Sequence, residues 1–188
     1  MPATSRYQIK VNDKITLELL AERHAEALSA LVNSNRQHLR EWLPWVDYMH
    51  TVEDFEAYID QCQEQYDEGT DNGYVILWNK MLVGRIGIHH INLQNKLGAI
   101  GYWLGEAYQG KGIISKACGA MINHGFGVLN LNRLEIKCGT GNNKSKAIAE
   151  RLQFKQEGIL RQSEKLNNGF IDLYLYSLLK DEWKVKAG

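Results

Sequence analysis

The chain has 188 residues, 44% of them hydrophobic and including five tryptophans and nine tyrosines, enough to bury one good core. Its 22 basic residues balance 22 acidic ones, so no net field draws it to nucleic acid or to an anionic membrane. No run of about 18 apolar residues is present to span a membrane, and residues 1–6 lack the apolar centre of a signal peptide, which predicts a cytoplasmic protein. The cysteines Cys62, Cys118 and Cys138 are odd in number and widely spaced, which argues against a disulfide framework or a zinc site and for small buried hydrophobes.

Along the chain, residues 7–10 and 15–19 read as a strand hairpin about Asn12-Asp13, and residues 22–35 as a helix with Ala25, Leu28, Leu31 and Val32 on one face. Pro44 keeps the aromatic stretch 39–45, which holds Trp42 and Trp45, from being one helix. Thr51 and Asp54 predict a helix cap, and Phe55, Tyr58, Ile59, Cys62 and Tyr66 carry the helical period to Gly69. Asp71-Asn72-Gly73 marks a turn into three strands, 74–78, 82–91 and 97–104, in an antiparallel meander. After a glycine-rich turn, residues 113–128 have helical spacing, with Ala117, Ala120, Met121, His124 and Val128 available to face the sheet. A strand at 133–138, a helix opened by Asn142 and running to Leu152, and strands at 154–161 and 170–178 complete an α/β order. No repeat, long linker or low-complexity segment divides the chain, so residues 1–188 read as a single domain.

The glycine-rich turn, Tyr108-Gln109-Gly110-Lys111-Gly112-Ile113-Ile114, lies between an apolar strand and an apolar helix. Such a turn gathers free backbone N–H groups at the positive end of a helix and suits an anion such as a pyrophosphate. Gly105, Gly110 and Lys111 match the start of G-x-x-x-x-G-K, but Gly112 follows and has no hydroxyl to hold magnesium, which argues against nucleotide hydrolysis. Ser115 stands where a dinucleotide fingerprint needs its third glycine. The remaining pattern is Q/R-x-x-G-x-G/A, supplied by Gln109, Gly112 and, imperfectly, Ile114; an ordinary strand-to-helix turn is the bland alternative.

On these residues, together with Gly98-Ala99-Ile100-Gly101-Tyr102-Trp103-Leu104, the run from Asn142 and Ser145 to Leu152-Gln153-Phe154, the segment from Trp42 to Trp45, and the C-terminal run from Tyr176 to Trp183, the chain resembles the GCN5-related N-acetyltransferases (GNAT). Within them it is similar to the RimJ/RimL branch of ribosomal-protein N-terminal acetyltransferases. The resemblance implies an α/β (α+β) fold, with a mixed, mostly antiparallel sheet splayed between two parallel strands and flanked by helices. It implies acetyl-CoA as cosubstrate and no metal. The pantetheine arm would enter the splay as an added strand, against Tyr102, Trp103 and Leu104. A bulge near Gly101 to Trp103 would free an N–H for the thioester oxygen. Gln109, Gly110, Lys111, Gly112, Ile113 and Ile114 would hold the pyrophosphate, with Lys111 adding a charge; Asn142 and Ser145 would line the other wall, and Cys138 could lie near the cofactor. Asn142 can at the same time be a simple N-cap, and Tyr102 and Trp103 are most simply sheet packing.

Transfer needs a neutral amine and a proton for the departing thiolate. Ala99 and Ala149 occupy the positions where many relatives carry a glutamate base and a tyrosine acid. The remaining pattern resembles that of RimL, with Ser145 at the coenzyme sulfur and Glu164, placed before the last strand, acting through water. Their plain alternatives are a first-turn helix serine and a solvated carboxylate in the polar stretch 162–168. His89 and His90 are adjacent on a strand and point to opposite faces, one of them lining the substrate side, with a water-mediated base role as a minor reading. Trp42, Trp45 and His89 are assigned to the substrate pocket, although such tryptophans are more often core or pocket-lining residues than specific binding groups. An α-amino group, with a pKa of about 7.7–8 against about 10.4 for lysine, suits a weak base and hence N-terminal acetylation. The alternatives are a small-molecule or antibiotic-detoxifying acetyltransferase and, because both usual catalytic positions are lost, a non-catalytic acyl-CoA sensor or regulatory module. Expected partners are a protein N-terminus or small amine and a second copy in a homodimer or higher homo-oligomer, with no membrane or nucleic acid.

Overall fold

Asn12 Oδ1 accepts hydrogen bonds from the N–H groups of Lys14 (2.9 Å) and Ile15 (2.8 Å), an Asx turn that folds β1 (Gln8–Lys10) onto β2 (Ile15–Leu19). The computed structural model to which this turn belongs describes residues 7–183. A 3-10 turn, Glu22–His24, leads into α1 (Ala25–Ser34), whose apolar face is Ala25, Leu28 and Val32, with Leu31 only partly covered. A single helical turn, α2 (Arg36–Leu39), and a 3-10 turn at Pro44–Asp47 follow, as the proline requires. α3 (Val52–Asp67) opens on a capping box: Thr51 Oγ1 accepts from Asp54 N–H (3.3 Å), while Asp54 Oδ2 accepts from Thr51 N–H (2.9 Å).

The meander is β3 (Asn72–Trp78), β4 (Met81–Asn92) and β5 (Leu97–Leu104), all antiparallel. Asp71, read from the sequence as part of a turn into the strands, is buried immediately before β3, with Asn72 and Gly73 already inside the strand. Next come α4 (Ile113–Gly127), β6 (Arg133–Gly139), α5 (Asn143–Arg151), β7 (Lys155–Leu166) and β8 (Gly169–Leu179). Val128, expected to face the sheet, lies beyond the last turn of α4 and is 71% exposed. Cys118, Ile122 and Phe126 take that place beside Ala117 and Met121.

Among the described residues, eight strands are ordered β1-β2-β3-β4-β5-β6-β8-β7, and only β5 and β6 run parallel. One face of the sheet packs on α4 and α5 through Ile86, Ile88, Ile100, Met121, Ile122, Ile136 and Ala149. The other packs on α1 and α3 through Val75, Leu28, Val32, Phe55 and Ile59, with Trp45 and Trp103 beside them. Each fully buried aliphatic side chain contributes about 1.5–3 kcal/mol of transfer free energy, so the two cores hold the sheet on both faces. The α/β fold expected for the family, a mostly antiparallel sheet with a single parallel pair, is the one observed.

Candidate active site

β5 and β6 pair only at Leu97 with Arg133, Gly98 with Leu134 and Ala99 with Glu135; beyond these residues the two strands separate. The bulge expected at Gly101 to Trp103 is not there: the β4–β5 register runs unbroken from Leu104 to Ala99 and shifts only between His89 and Asn92. It is not needed to free an N–H. Gly105 N–H donates to Val83 O (2.9 Å), and the alternation of an antiparallel ladder then turns the N–H groups of Leu104 and Tyr102 away from β4 and, beyond the last β6 pair at Ala99, into the splay.

At the foot of the splay, Gly110 (φ +73°) and Gly112 (φ +71°) adopt left-handed conformations that other residues take only with strain. Gly112 is the N-cap of α4 and brings no capping side chain; Lys116 N–H is the first to close a turn, onto Gly112 O (3.2 Å). The N–H groups of Ile113, Ile114 and Ser115 are therefore available to an anion. A Cβ at Gly110 or Gly112 would meet nothing within 4 Å, so the cradle is open. Lys111 does not point into it: its ammonium bonds back to Ala107 O and lies over the rings of Trp78 (5.6 Å) and Tyr108 (5.7 Å). The cations nearest the loop come from α5, where Lys144 Nζ donates to Gln109 Oε1 (2.7 Å) and Arg151 donates to Ser115 Oγ (2.9 Å). Sequence reasoning missed both, although their seven-residue spacing puts them on one helical face. The open N–H cradle and these two cations fit a pyrophosphate.

Asn142 Oδ1 accepts from Ser145 N–H (3.0 Å) and caps α5. This holds Ser145 Oγ 2.8 Å from the Tyr102 phenol oxygen, so the two walls of the splay meet through a pair of hydroxyls. Tyr102 thus does more than pack the sheet, and burial raises its phenol well above the ordinary value. Cys138 lies buried at the end of the second wall; burial raises its thiol, and a bond to the Ser145 hydroxyl partly offsets that.

The opposite face of the sheet carries Trp42, Trp45 and Trp103. A Cβ on Gly139 would sit 2.7 Å from the Trp42 ring and 3.1 Å from Ile171 Cδ1, so the indole and Ile171 cover the end of β6. Trp45 lies tilted at 54° against Trp103, ring centroids 6.1 Å apart. Glu164 is not in a solvated loop, because β7 continues past an irregularity at residues 160–164 and pairs Glu164 with Ile171. That register puts its carboxyl on the face that Trp42 and Ile171 share, where partial burial raises its pKa. Asn167, beyond it, donates to Asp47 and ties the β7–β8 hairpin to the Pro44–Asp47 turn. His89 is partly buried and its Nδ1 is bonded to the Asp71 carboxyl, whereas His90 is exposed at φ +53°. Among the described residues, no group of three His, Cys, Asp or Glu side chains is placed to hold a metal ion.

A pantetheine arm is extended and lined with amides, and a gap edged by unpaired strand N–H groups above an open helix N-terminus accepts it as it would a strand. Fold and site together define a coenzyme A-dependent acyltransferase. Residues 14–155 match the acetyltransferase (GNAT) domain. Over 181 residues, 95% of this chain and 98% of the relative, the sequence is 37% identical to a putative ribosomal N-acetyltransferase, YdaF, of Bacillus subtilis. Among solved structures, it is similar to the microcin self-immunity acetyltransferase MccE in complex with acetyl-CoA and AMP, at a TM-score of 0.90 and 32% identity over 94% of this chain and 98% of that one. It is equally similar to a ribosomal α-N-protein acetyltransferase, RimL, in complex with coenzyme A, at 0.90 and 31% over 94% and 99%. The chain belongs to the GNAT acetyltransferase family; it is an N-acetyltransferase and takes acetyl-CoA as cosubstrate.

Proposed function

We propose that this enzyme acetylates the N-terminal α-amino group of a ribosomal protein by direct attack of the amine in a ternary complex. The observation that carries the reading is the position of Glu164, a partly buried carboxyl on the face of the sheet that Trp42 and Ile171 share rather than in a solvated loop. A carboxylate working through water is a weak base, and an α-amino group, titrating near 8, is the amine it can most readily supply in neutral form. YdaF and RimL, similar over nearly the whole chain, carry ribosomal acetylation in their names, which supports the same acceptor class.

Acetyl-CoA supplies the thioester. Gly110, Gly112, Ile113 and Ile114 offer backbone N–H groups to its pyrophosphate and Gln109, whose own N–H closes on Glu106 O (3.1 Å), adjoins them through its side chain, with Lys144 and Arg151 as the nearer cations and Lys111 as a further one. Tyr102, Trp103 and Leu104 form one wall of its channel and Asn142 with Ser145 the other. Glu164 takes, through water, the proton an incoming ammonium must lose, while Ser145 gives a proton to the departing sulfur. Trp42, Trp45 and His89 line the acceptor side. We read residues 1–188 as a single domain acting in the cytoplasm, and Ile159 and Phe170, exposed by 51% and 62% on the β7–β8 hairpin, as support for a homo-oligomer.

The similarity to MccE favours one second reading, acetylation of a small peptide-like antibiotic amine. Thiol release with serine- and alanine-starting peptides beside a panel of small amines decides between them. Turnover confined to small amines removes the ribosomal reading.

A further inference from the structure

His89 is tied to Asp71 in a way that nothing in the anion loop or the Ser145 wall calls for. The Asp71 carboxyl is buried, and one of its oxygens bonds His89 Nδ1. A carboxylate accepts only, so Nδ1 carries the proton and Nε2 of the neutral ring is left with its lone pair. The ring lies across two glycines of the adjoining strands. A Cβ on Gly87 would come within 2.8 Å of His89 Cε1, and one on Gly101 would lie 3.0 Å from Cδ2 and 3.3 Å from Nε2. A Cβ on Gly87 would also lie 3.0 Å from Nε2, and Gly101 is two residues past Ala99, the last β5 residue paired with β6, so Nε2 stands between β4 and β5 at the level where the splay has opened. The β4–β5 register breaks immediately after His89, and His90 takes the left-handed conformation that redirects the strand there. Charged and titratable neighbours on the same face are Arg85 from β4, packed on Tyr58 with its guanidinium 5.0 Å from the ring centroid, and Cys62 of α3, which the guanidinium contacts at 3.4 Å. Asp71 Oδ1 and Arg85 Nε are buried without a hydrogen-bond partner among the described residues.

We propose that His89 is a catalytic base of the acetyl transfer and that Asp71 is its positioning residue, holding the imidazole in the tautomer that aims a free Nε2 at the acceptor nitrogen. This rests on the acetyltransferase reading and adds the step it leaves open. An ammonium sheds two protons on becoming an amide. Glu164 takes the first, before attack. When nitrogen bonds to the acyl carbon and the carbon–sulfur bond breaks, the electron pair leaves with sulfur. His89 Nε2 accepts the second nitrogen proton and sulfur takes one from Ser145; Glu164 and the imidazole then each give up a proton and the hydroxyl pair regains one, releasing one proton net.

The test couples kinetics with a measurement that needs no turnover. With a serine-starting peptide, H89Q should lose about 100-fold in kcat, the scale of a general base, while its KM for acetyl-CoA and its calorimetric affinity for coenzyme A stay within twofold. At pH 9, where the α-amine is already neutral, E164Q should recover toward wild type and H89Q should not. In the unliganded protein, imidazole 15N–1H correlation spectra should show neutral His89 protonated at Nδ1, and D71N should abolish that preference. An active wild type with H89Q within threefold of it overturns the inference and leaves the acetyltransferase reading intact; a wild type inactive with every amine overturns that reading instead. A neutral His89 protonated at Nε2 overturns the inference without any kinetics, so a poorly folding H89Q variant does not shelter it.

Discussion

The phenol oxygen of Tyr102 and the hydroxyl of Ser145 lie 2.8 Å apart, one from β5 and the other from the first turn of α5, and together they span the splay. Ala149 leaves α5 without the tyrosine that many relatives place there, and Tyr102 brings a phenol to the same gap from the facing strand. Ser145→Ala is expected to lower kcat by about 100-fold, the scale of one proton-transfer group, with the affinity for coenzyme A changed less than threefold. Tyr102→Phe should give a smaller loss in the same direction. Steady-state kinetics beside calorimetry read both; full turnover in Ser145→Ala removes the proton-donor role.

The anion loop yields a second expectation. Gly112→Ala forces a Cβ into a left-handed conformation at a cost of about 1–2 kcal/mol, which should weaken coenzyme A binding without disturbing the core. Because Lys111 is engaged with Ala107 and two rings while Lys144 reaches Gln109, Lys144→Glu should reduce cofactor affinity more than Lys111→Glu. Equal losses in calorimetric titrations would contradict the placement of Lys111.

Glu164 gives a pH dependence with a definite sign. Burial raises its pKa above the ordinary 4.5, so the folded chain binds its proton more tightly than the unfolded one, and stability contributed by the protonated form is lost as pH rises through the folded value. Glu164→Gln should therefore be more stable than wild type at pH 7, with the difference vanishing below pH 4.5, while it loses activity at pH 7. Denaturant midpoints across that range provide the check. A less stable variant at pH 7 would show that the carboxylate is compensated by a partner.

Glu157 behaves in the opposite way. The Arg133 guanidinium grips its carboxyl in two bonds of 2.7 and 2.6 Å, Ser177 adds a third, and its pKa is drawn down to about 2. A lowered folded value gives stability that is full above the ordinary 4.5 and is lost as pH falls toward 2. The carboxyl is 41% exposed, so screening keeps the effect modest. Glu157→Gln should be less stable than wild type at pH 6 and equal to it near pH 2, and salt should narrow the gap at pH 6. A gap constant from pH 6 to 2 would mean that the glutamate contributes packing rather than charge.

The sequence by itself determined whatever depends on neighbours along the chain. Gly110 and Gly112 before an apolar helical period mark an uncapped helix start, because few other residues accept that backbone. Asn142 three positions before Ser145 specifies its own cap. The alternation of residues 74–104 specifies a meander, and Pro44 a broken helix. The resemblance carried by these same stretches pointed to acetyl-CoA. What the sequence left open was contact between distant residues. Tyr102 and Ser145 are 43 positions apart and Asp71 and His89 18 apart, and each pair meets only because of strand register and the parting of β5 from β6. Asp71 looked like a turn residue and Glu164 like a loop carboxylate because local composition cannot report that a strand begins early or continues past a bulge. Lys111, adjacent to the anion loop in sequence, folds away from it, while Lys144 reaches the loop from another helix. Local propensity names the cofactor cradle; the splay of the sheet decides which side chains surround it, because that geometry arises from packing across both faces at once.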